Sequence, residues 1–249
     1  MSGIRKAGVD YVDLRREIFD NNLDHKDLFF VTDHHWTPEA GFWGAGVVAN
    51  ILNEKYGFSI DASLYDLSNY NIKIKEKWFL GTEGKRVGSI FAGVDDLHLL
   101  TPKFRTDLVL SIPSKVILKK GDFENTIFDM SHVDEKAYYE KNPYCAYMGG
   151  DFPLSIIKNN LVNGKKILLV RDSFACVFAP FISLGCRELE IIDLRHYNDK
   201  SLYKYIESSS PDLVMFLYNP IEFYKDEMFE FGSLLHSSSS PTPAQTSFR

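Results

Sequence analysis

The chain has 249 residues, 45% of them apolar and 25% charged, enough for one well-filled globular domain or two small ones. The net charge is −6, the pI is near 5.7 and no long basic run occurs, which excludes a nucleic-acid-binding role on electrostatic grounds. No signal peptide or transmembrane span is visible, and the three cysteines stand in no CxxC or metal-ligand spacing.

Met1-Ser2-Gly3 runs straight into a charged, helix-like segment, so the start reads as cut down, with an anchor lying upstream. Val12 to Asn22 reads as a short amphipathic helix and Leu28 to Val31 as a buried strand. Asp33-His34-His35-Trp36 follows. Thr37 is then a good N-cap, Pro38 suits the first helical position, and Glu39 complements the positive end of the helix dipole. Trp43, Val47, Val48, Ile51 and Leu52 give that helix an apolar face, and Gly57 ends it.

From 66 to 120 the pattern changes to strands, read as a β-rich insertion within a single domain spanning 1–231. Ile72 and Ile74 alternate with Lys73 and Lys75 in a half-exposed strand over Tyr70 to Phe79. Gly81 to Gly88 is a glycine-rich surface turn without the Gly-Lys-Ser/Thr ending of a phosphate-binding loop. Leu108 to Ile112 and Lys115 to Leu118 are further strands. Gly149-Gly150-Asp151 allows a close backbone approach, and Pro153 to Asn160 reads as a short helix.

The last third reads as α/β. Lys166 to Arg171 is an apolar run typical of a central parallel strand, and Asp172-Ser173 stands at its carboxyl end. Phe174 to Leu184 is an apolar helix kinked at Pro180, flanked by Cys176 and Cys186, which are read as buried thiols. Leu189 to Asp193 and Leu213 to Tyr218 are two more strands. This order implies right-handed crossovers and a parallel sheet, whose ligands bind outside the carboxyl ends of the strands. Ser173, Arg195 and Asn219 all fall there. Residues 232–249, rich in Ser and Pro, are expected to be disordered and read as a cloning remnant.

A serine hydroxyl needs a base, and the base needs a partner that fixes its tautomer. His35 and Asp33, two residues apart, can project from one loop toward the same site. Ser173, on a sharp strand-to-helix turn, is the candidate nucleophile, and its turn aims backbone N–H groups at an oxyanion. Gly150, Arg195 and Asn219 are candidate oxyanion or substrate-binding residues, and Trp36 a candidate sugar platform. Each has a structural reading as well. Ser173 could be a helix N-cap, Asp33 and His35 a buried pair, Asn219 a turn residue, Arg195 a partner of Asp193 or Asp199, and Trp36 a packing residue. The 14% aromatic content suggests carbohydrate contact only mildly and fits core filling better.

Thr32-Asp33-His34-His35-Trp36-Thr37-Pro38-Glu39-Ala40-Gly41 resembles the signature of the DHHW family, which is similar to the SGNH-hydrolase-like domain of the alginate O-acetyltransferases. Arg171-Asp172-Ser173-Phe174 resembles the downstream strand ending in Asp-Ser-Phe. Gly149-Gly150-Asp151 resembles a Gly-Gly-Asn, and Asp193 to Tyr197 an Asp-x-Arg-x-Tyr segment. The resemblance runs from about Tyr11 to Tyr218. It implies an SGNH-like, flavodoxin-like α/β fold with a central parallel sheet flanked by helices. Its motif order is circularly permuted, because the acid–base pair precedes the serine. It also implies a triad of Ser173, His35 and Asp33 with no metal and no cofactor. The implied work is O-acyl transfer or acyl-ester hydrolysis on an extracytoplasmic polysaccharide or other glycan, alongside a membrane-bound acyltransferase. Asp151 in place of Asn removes an amide donor, and His34 receives no role. The competing readings are a glycan-binding or polysaccharide-assembly protein without catalysis, and a metallophosphoesterase built on Asp33-His34-His35.

Overall fold

The computed structural model describes residues 8–221 together with Lys6, Phe229 and Phe231; the tail from Gly232 lies outside the described residues. Two short helices open the described chain, α1 (Leu14–Asp20) and α2 (His25–Leu28), each capped by the carboxylate of the preceding aspartate. The strand expected over Leu28 to Val31 does not form. Leu28 closes α2, and the next residues fold back on their own loop through a single Phe29–Trp36 bridge. Phe30 N–H donates to the His35 carbonyl at 3.2 Å, and Thr37 N–H to the Leu28 carbonyl at 2.8 Å. Four apolar residues are too few to build a strand when both ends are already held by caps.

The helix after this loop, α3 (Pro38–Tyr56), forms as its signals predict. The Thr37 hydroxyl accepts from Ala40 N–H, and Gly57 closes the helix in the left-handed region at φ 63°. Strands β1 (Tyr70–Phe79) and β2 (Asp95–Pro102) then pair as an antiparallel ribbon. They are joined by two short helices, α4 (Thr82–Val87) and α5 (Ser89–Ala92), where a surface turn is expected. The glycines of that stretch punctuate the helices instead. Gly88 and Gly93, at φ 86° and 75°, end one helix each.

The main sheet has six strands in the order β4-β3-β5-β7-β6-β8. They are β3 (Leu108–Ile112), β4 (Ile117–Gly121), β5 (Leu154–Asn159), β6 (Lys166–Arg171), β7 (Glu188–Ile192) and β8 (Leu213–Leu217). Strands β7, β6 and β8 run parallel, as expected; β4, β3 and β5 make antiparallel pairs, so the sheet is mixed. Of the β-rich stretch over 66–120, only the β1–β2 ribbon stands apart, while β3 and β4 extend the main sheet. The expected helix over Pro153 to Asn160 is strand β5. Ser155, Ile157 and Asn159 are its buried residues, a period of two that the adjacent Ile156-Ile157 pair obscures in the sequence.

The inner residues of β6, Ile167 to Val170, are all apolar because both faces of the strand are covered. Ile167 and Leu169 join the core beneath α3, with Ala45, Ala49 and Leu52. Leu168 and Val170 face a second core with Leu202 and Tyr205 of α8 (Leu202–Ser209). After β6 the expected continuous helix is broken into a 3-10 turn (Ser173–Val177), the helix α7 (Ala179–Ile182) and a second 3-10 turn (Ser183–Gly185). Pro180 sits in the first turn of α7, where its missing N–H leaves no intrahelical partner lost. Cys176 and Cys186 are buried free thiols, as expected. No helix among the described residues is long and apolar enough to cross a membrane.

Helix α3 docks on the serine turn with almost no gap. A Cβ built on Gly41 would stand 2.3 Å from the Val177 carbonyl oxygen, a backbone atom that cannot move cheaply. A Gly41→Ala substitution is therefore expected to destabilise the fold by about 1–3 kcal/mol through overpacking, despite alanine's better helix propensity. Urea unfolding measures this, and an unchanged or raised midpoint would contradict it.

Candidate active site

The fold brings together the two halves of the predicted site, which lie 138 residues apart. His35 Nε2 is 2.7 Å from Ser173 Oγ, and His35 Nδ1 is hydrogen-bonded to Asp33 Oδ1. Asp33 Oδ1 also accepts the His35 backbone N–H at 3.0 Å, so one carboxylate fixes both the ring and its loop. Asp33 and His35 are buried, and Ser173 is half-buried.

The serine turn is built around Asp172, which is the N-cap that Ser173 could have been. Its Oδ1 accepts from Phe174 N–H at 2.9 Å and its Oδ2 from Asn219 N–H at 2.6 Å. Asp172 N–H donates to the Leu217 carbonyl, tying the turn to the end of β8. Capping by Asp172 leaves the Ser173 hydroxyl free to face His35. The Trp36 indole N–H donates to the Phe174 carbonyl at 2.8 Å, and Tyr144 Oη reaches the Ser173 and Phe174 carbonyls at 3.3 and 3.4 Å. The loop that carries the base thus also clamps the turn that carries the nucleophile.

The acid is held by groups that no local pattern announces. Thr82 N–H donates to Asp33 Oδ2 at 2.8 Å. Gly81 N–H donates to Thr32 Oγ1, and Gly84 N–H to the Thr32 carbonyl. Asp95, at the start of β2, accepts from Val31 N–H, Thr32 N–H and Thr32 Oγ1 at 3.1, 2.8 and 2.6 Å. Gly81 is required for space. Its φ of −75° suits any residue, but a Cβ there would stand 2.2 Å from Asp33 Cβ. The glycine-rich stretch was visible in the sequence; its task as the seat of the acid was not. Asp95 and Tyr144 gave no signal. Tyr144 is buried and stacks on the His35 ring at 4.2 Å.

The other candidates sit close by with most of their polar groups engaged. Trp36 is buried and packs against Phe174 and Phe178, which makes it a support and not a sugar platform. The Asn219 side chain accepts from Ile221 N–H, closing its own turn. Arg195 bonds Asp193 at 2.9 and 2.6 Å and Asp151 at 3.0 Å; Asp199 is not its partner. Arg171, almost fully buried at the end of β6, joins the same network. Its Nη1 pairs with Asp151 and reaches the Asp172 carbonyl at 3.2 Å, and its Nη2 reaches the Gly150 carbonyl at 3.4 Å. Two arginines and two aspartates therefore alternate beneath the Gly-Gly-Asp turn. Burial pushes the Asp151 carboxyl up, but Arg171 and Arg195 hold it below the usual range. Asp151 thus acts as a charged brace where an amide is expected in the resembling motif.

Asp33, His34 and His35 offer donor atoms within 4.8 Å of one another, as do Asp151, Asp193 and His196. Neither set is open to a cation. Asp33 is committed to His35 and Thr82, and the other two aspartates are neutralised by Arg171 and Arg195. Burial raises the Cys145 thiol to about 11 and that of Cys186 to about 12, so neither competes as a nucleophile near neutral pH.

Comparison with known proteins agrees with the motifs. A family model described as the SGNH hydrolase-like domain of the acetyltransferase AlgX matches residues 1–68. The structure of Bacillus cereus PatB1 with a sulfonyl adduct superposes with a TM-score of 0.69 at 24% identity, over 87% of this chain and 69% of that one. A DHHW family protein from Eubacterium siraeum superposes with a TM-score of 0.60 at 17% identity, over 84% of this chain and 65% of that one. No curated protein matches the sequence. The mixed α/β fold is shared with these structures, and the resemblance to the DHHW proteins extends to the fold.

The electrostatics of the acid give a test. Burial raises the Asp33 carboxyl, but hydrogen bonds from the His35 ring, Thr82 N–H and His35 N–H outweigh it and set the value at about 2, below the ordinary 3.8. A carboxyl lowered on folding stabilises the native state above pH 3.8, and that contribution is lost as the pH falls through 3.8 toward 2. The shift corresponds to about 2 kcal/mol. Wild type is expected to lose this advantage over Asp33→Asn between pH 6 and pH 2.5. Urea titrations across that range check it, and a gap constant with pH would contradict it.

Proposed function

We propose that this chain is an SGNH-like serine O-acyltransferase acting on an extracytoplasmic polysaccharide, with Ser173 as nucleophile, His35 as general base and acid, and Asp33 as the residue that orients the imidazole. The observation that carries the reading is the continuous relay from Asp33 through His35 to Ser173 Oγ, with 2.7 Å at the nucleophile. The family-model match and the SGNH-like fold support the acyl-transfer class.

Ser173 Oγ attacks the acyl carbonyl while His35 Nε2 takes its proton. The carbonyl oxygen becomes an oxyanion. Ser173 N–H, first in the 3-10 turn, is the proposed donor to it, because Phe174 N–H and Ala175 N–H are already taken by Asp172. Gly150 N–H is the proposed second donor, on a turn braced by Arg171. His35 returns its proton to the departing group, leaving acyl-Ser173. An acceptor hydroxyl then attacks the acyl carbon, its proton passes to His35, and Ser173 is regenerated by taking that proton back. Asp33 stays ionised throughout and stabilises the imidazolium. The acyl group is proposed to come from a membrane-bound acyltransferase, and the work to be done outside the cytoplasm.

The solved PatB1 carries a sulfonyl adduct, and sulfonyl fluorides report an activated hydroxyl. Phenylmethanesulfonyl fluoride is expected to add one sulfonyl group to Ser173, and 4-nitrophenyl acetate one acetyl group, both located by peptide mass. Ser173→Ala and His35→Ala are expected to lose about 10³-fold or more in kcat/KM on the aryl acetate. A Ser173→Ala protein that still turns over at the wild-type rate would refute the assignment.

A further inference from the structure

His34 has no part in the relay, yet it is the residue best placed to meet a substrate. Its ring lies against that of His35, with centroids 3.9 Å apart and the planes tilted by 37°, while buried Tyr144 stacks on His35 at 4.2 Å. The His34 side chain is 47% exposed. Its Nδ1 lies 3.6 Å from Asp33 Oδ1, too far for a hydrogen bond, and Asp33 already serves His35 and Thr82. Glu83 Oε2 lies 3.8 Å away on the other side, and that carboxylate is 49% exposed. Neither the His34 nor the Glu83 side chain makes a hydrogen bond among the described residues. The mouth of the relay therefore presents an imidazole and a carboxylate side by side, with hydrogen-bonding capacity unspent.

We infer that His34 and Glu83 form the acceptor subsite, binding a hydroxyl of a polyhydroxylated acceptor next to the one that attacks acyl-Ser173. One hydroxyl oxygen can reach both groups, because polar atoms 3.8 Å apart are each within about 2.8 Å of a point between them. It donates to Glu83 and accepts from His34, using a donor and an acceptor together, as alcohols do and apolar groups cannot. A sugar presents its hydroxyls in adjacent pairs, so one can be held here while its neighbour meets His35 Nε2. A mismatched acceptor would leave the imidazole and carboxylate unpaired, which is how polar sites discriminate.

The inference rests on the proposed acyl-serine mechanism, and the test separates the two. Acetylation of Ser173 by 4-nitrophenyl acetate is measured first by peptide mass. The acyl-enzyme is then partitioned between water and methyl β-glucopyranoside over a range of sugar concentrations, with ethanol as a single-hydroxyl comparison. Transfer and hydrolysis draw on the same intermediate, so their ratio is independent of how fast it forms. His34→Phe keeps a ring against His35 without its nitrogens, and Glu83→Ala removes the carboxylate. Each is expected to lower the ratio of sugar transfer to hydrolysis about tenfold and to abolish the preference for the sugar over ethanol. Ratios within twofold of wild type in both variants would overturn the subsite while leaving the triad standing. So would a wild-type acyl-enzyme that passes to water alone at every sugar concentration. Absence of acetyl-Ser173 in the wild type would remove the mechanism itself and the subsite with it.

Discussion

Everything in this structure depends on holding residue 35 within one hydrogen bond of residue 173. The relay tolerates little error, because displacing a catalytic group by about 1 Å can slow a reaction about a hundredfold. The chain meets this constraint with rigid contacts on each side of the bond. Helix α3 is pressed against the serine turn at Gly41 and Val177, where there is no room for a methyl group. The Trp36 indole is bonded to the Phe174 carbonyl, and Tyr144 fills the space behind His35. The base and the nucleophile are thus mounted on one another before any substrate arrives.

A second layer of order holds the charges. Asp33 is kept ionised by N–H groups from its own loop and from Thr82, so in the proposed mechanism an imidazolium at His35 would face a negative partner. Beneath the Gly-Gly-Asp turn, Arg171 and Arg195 alternate with Asp151 and Asp193. Arg171 and Asp193 are fully buried and Asp151 partly so, which is tolerable only when each charge is paired, and here every carboxylate meets at least one guanidinium. The network joins the turn proposed to hold the oxyanion to the strand end that carries the serine.

The meeting of Asp33, His35 and Ser173 was legible in the sequence because all three obey local rules. Asp33 and His35 have the spacing of two side chains on one loop, and Ser173 follows an apolar strand that had to be central. The capping signals from Thr37 to Glu39 fixed α3 to within a residue. Strand β5 was not legible, since Ile156-Ile157 fits a helix face or a doubly covered strand equally well. The segment after Leu28 was misread for a related reason: its apolar residues fill the core from a loop. Asp95, and the task of Gly81, escaped notice because both support the acid from more than 45 residues downstream. Such partners obey tertiary geometry and leave no trace in spacing.

Thr82 and Glu83 are neighbours with divided duties. The backbone of Thr82 bonds Asp33, while the half-exposed side chain of Glu83 stands 3.8 Å from His34. A peptide N–H is the same whatever residue bears it, so the side chains of Thr82 and Glu83 can be exchanged without removing the bond to Asp33, while Gly81 and Gly84, where a Cβ would stand 2.2 Å from Asp33 and 2.7 Å from Thr32, stay fixed. Under the proposed function, selection for a new acceptor would rewrite the first pair and spare the second. The chemistry is inherited with the backbone, and the choice of partner molecule is left free to evolve.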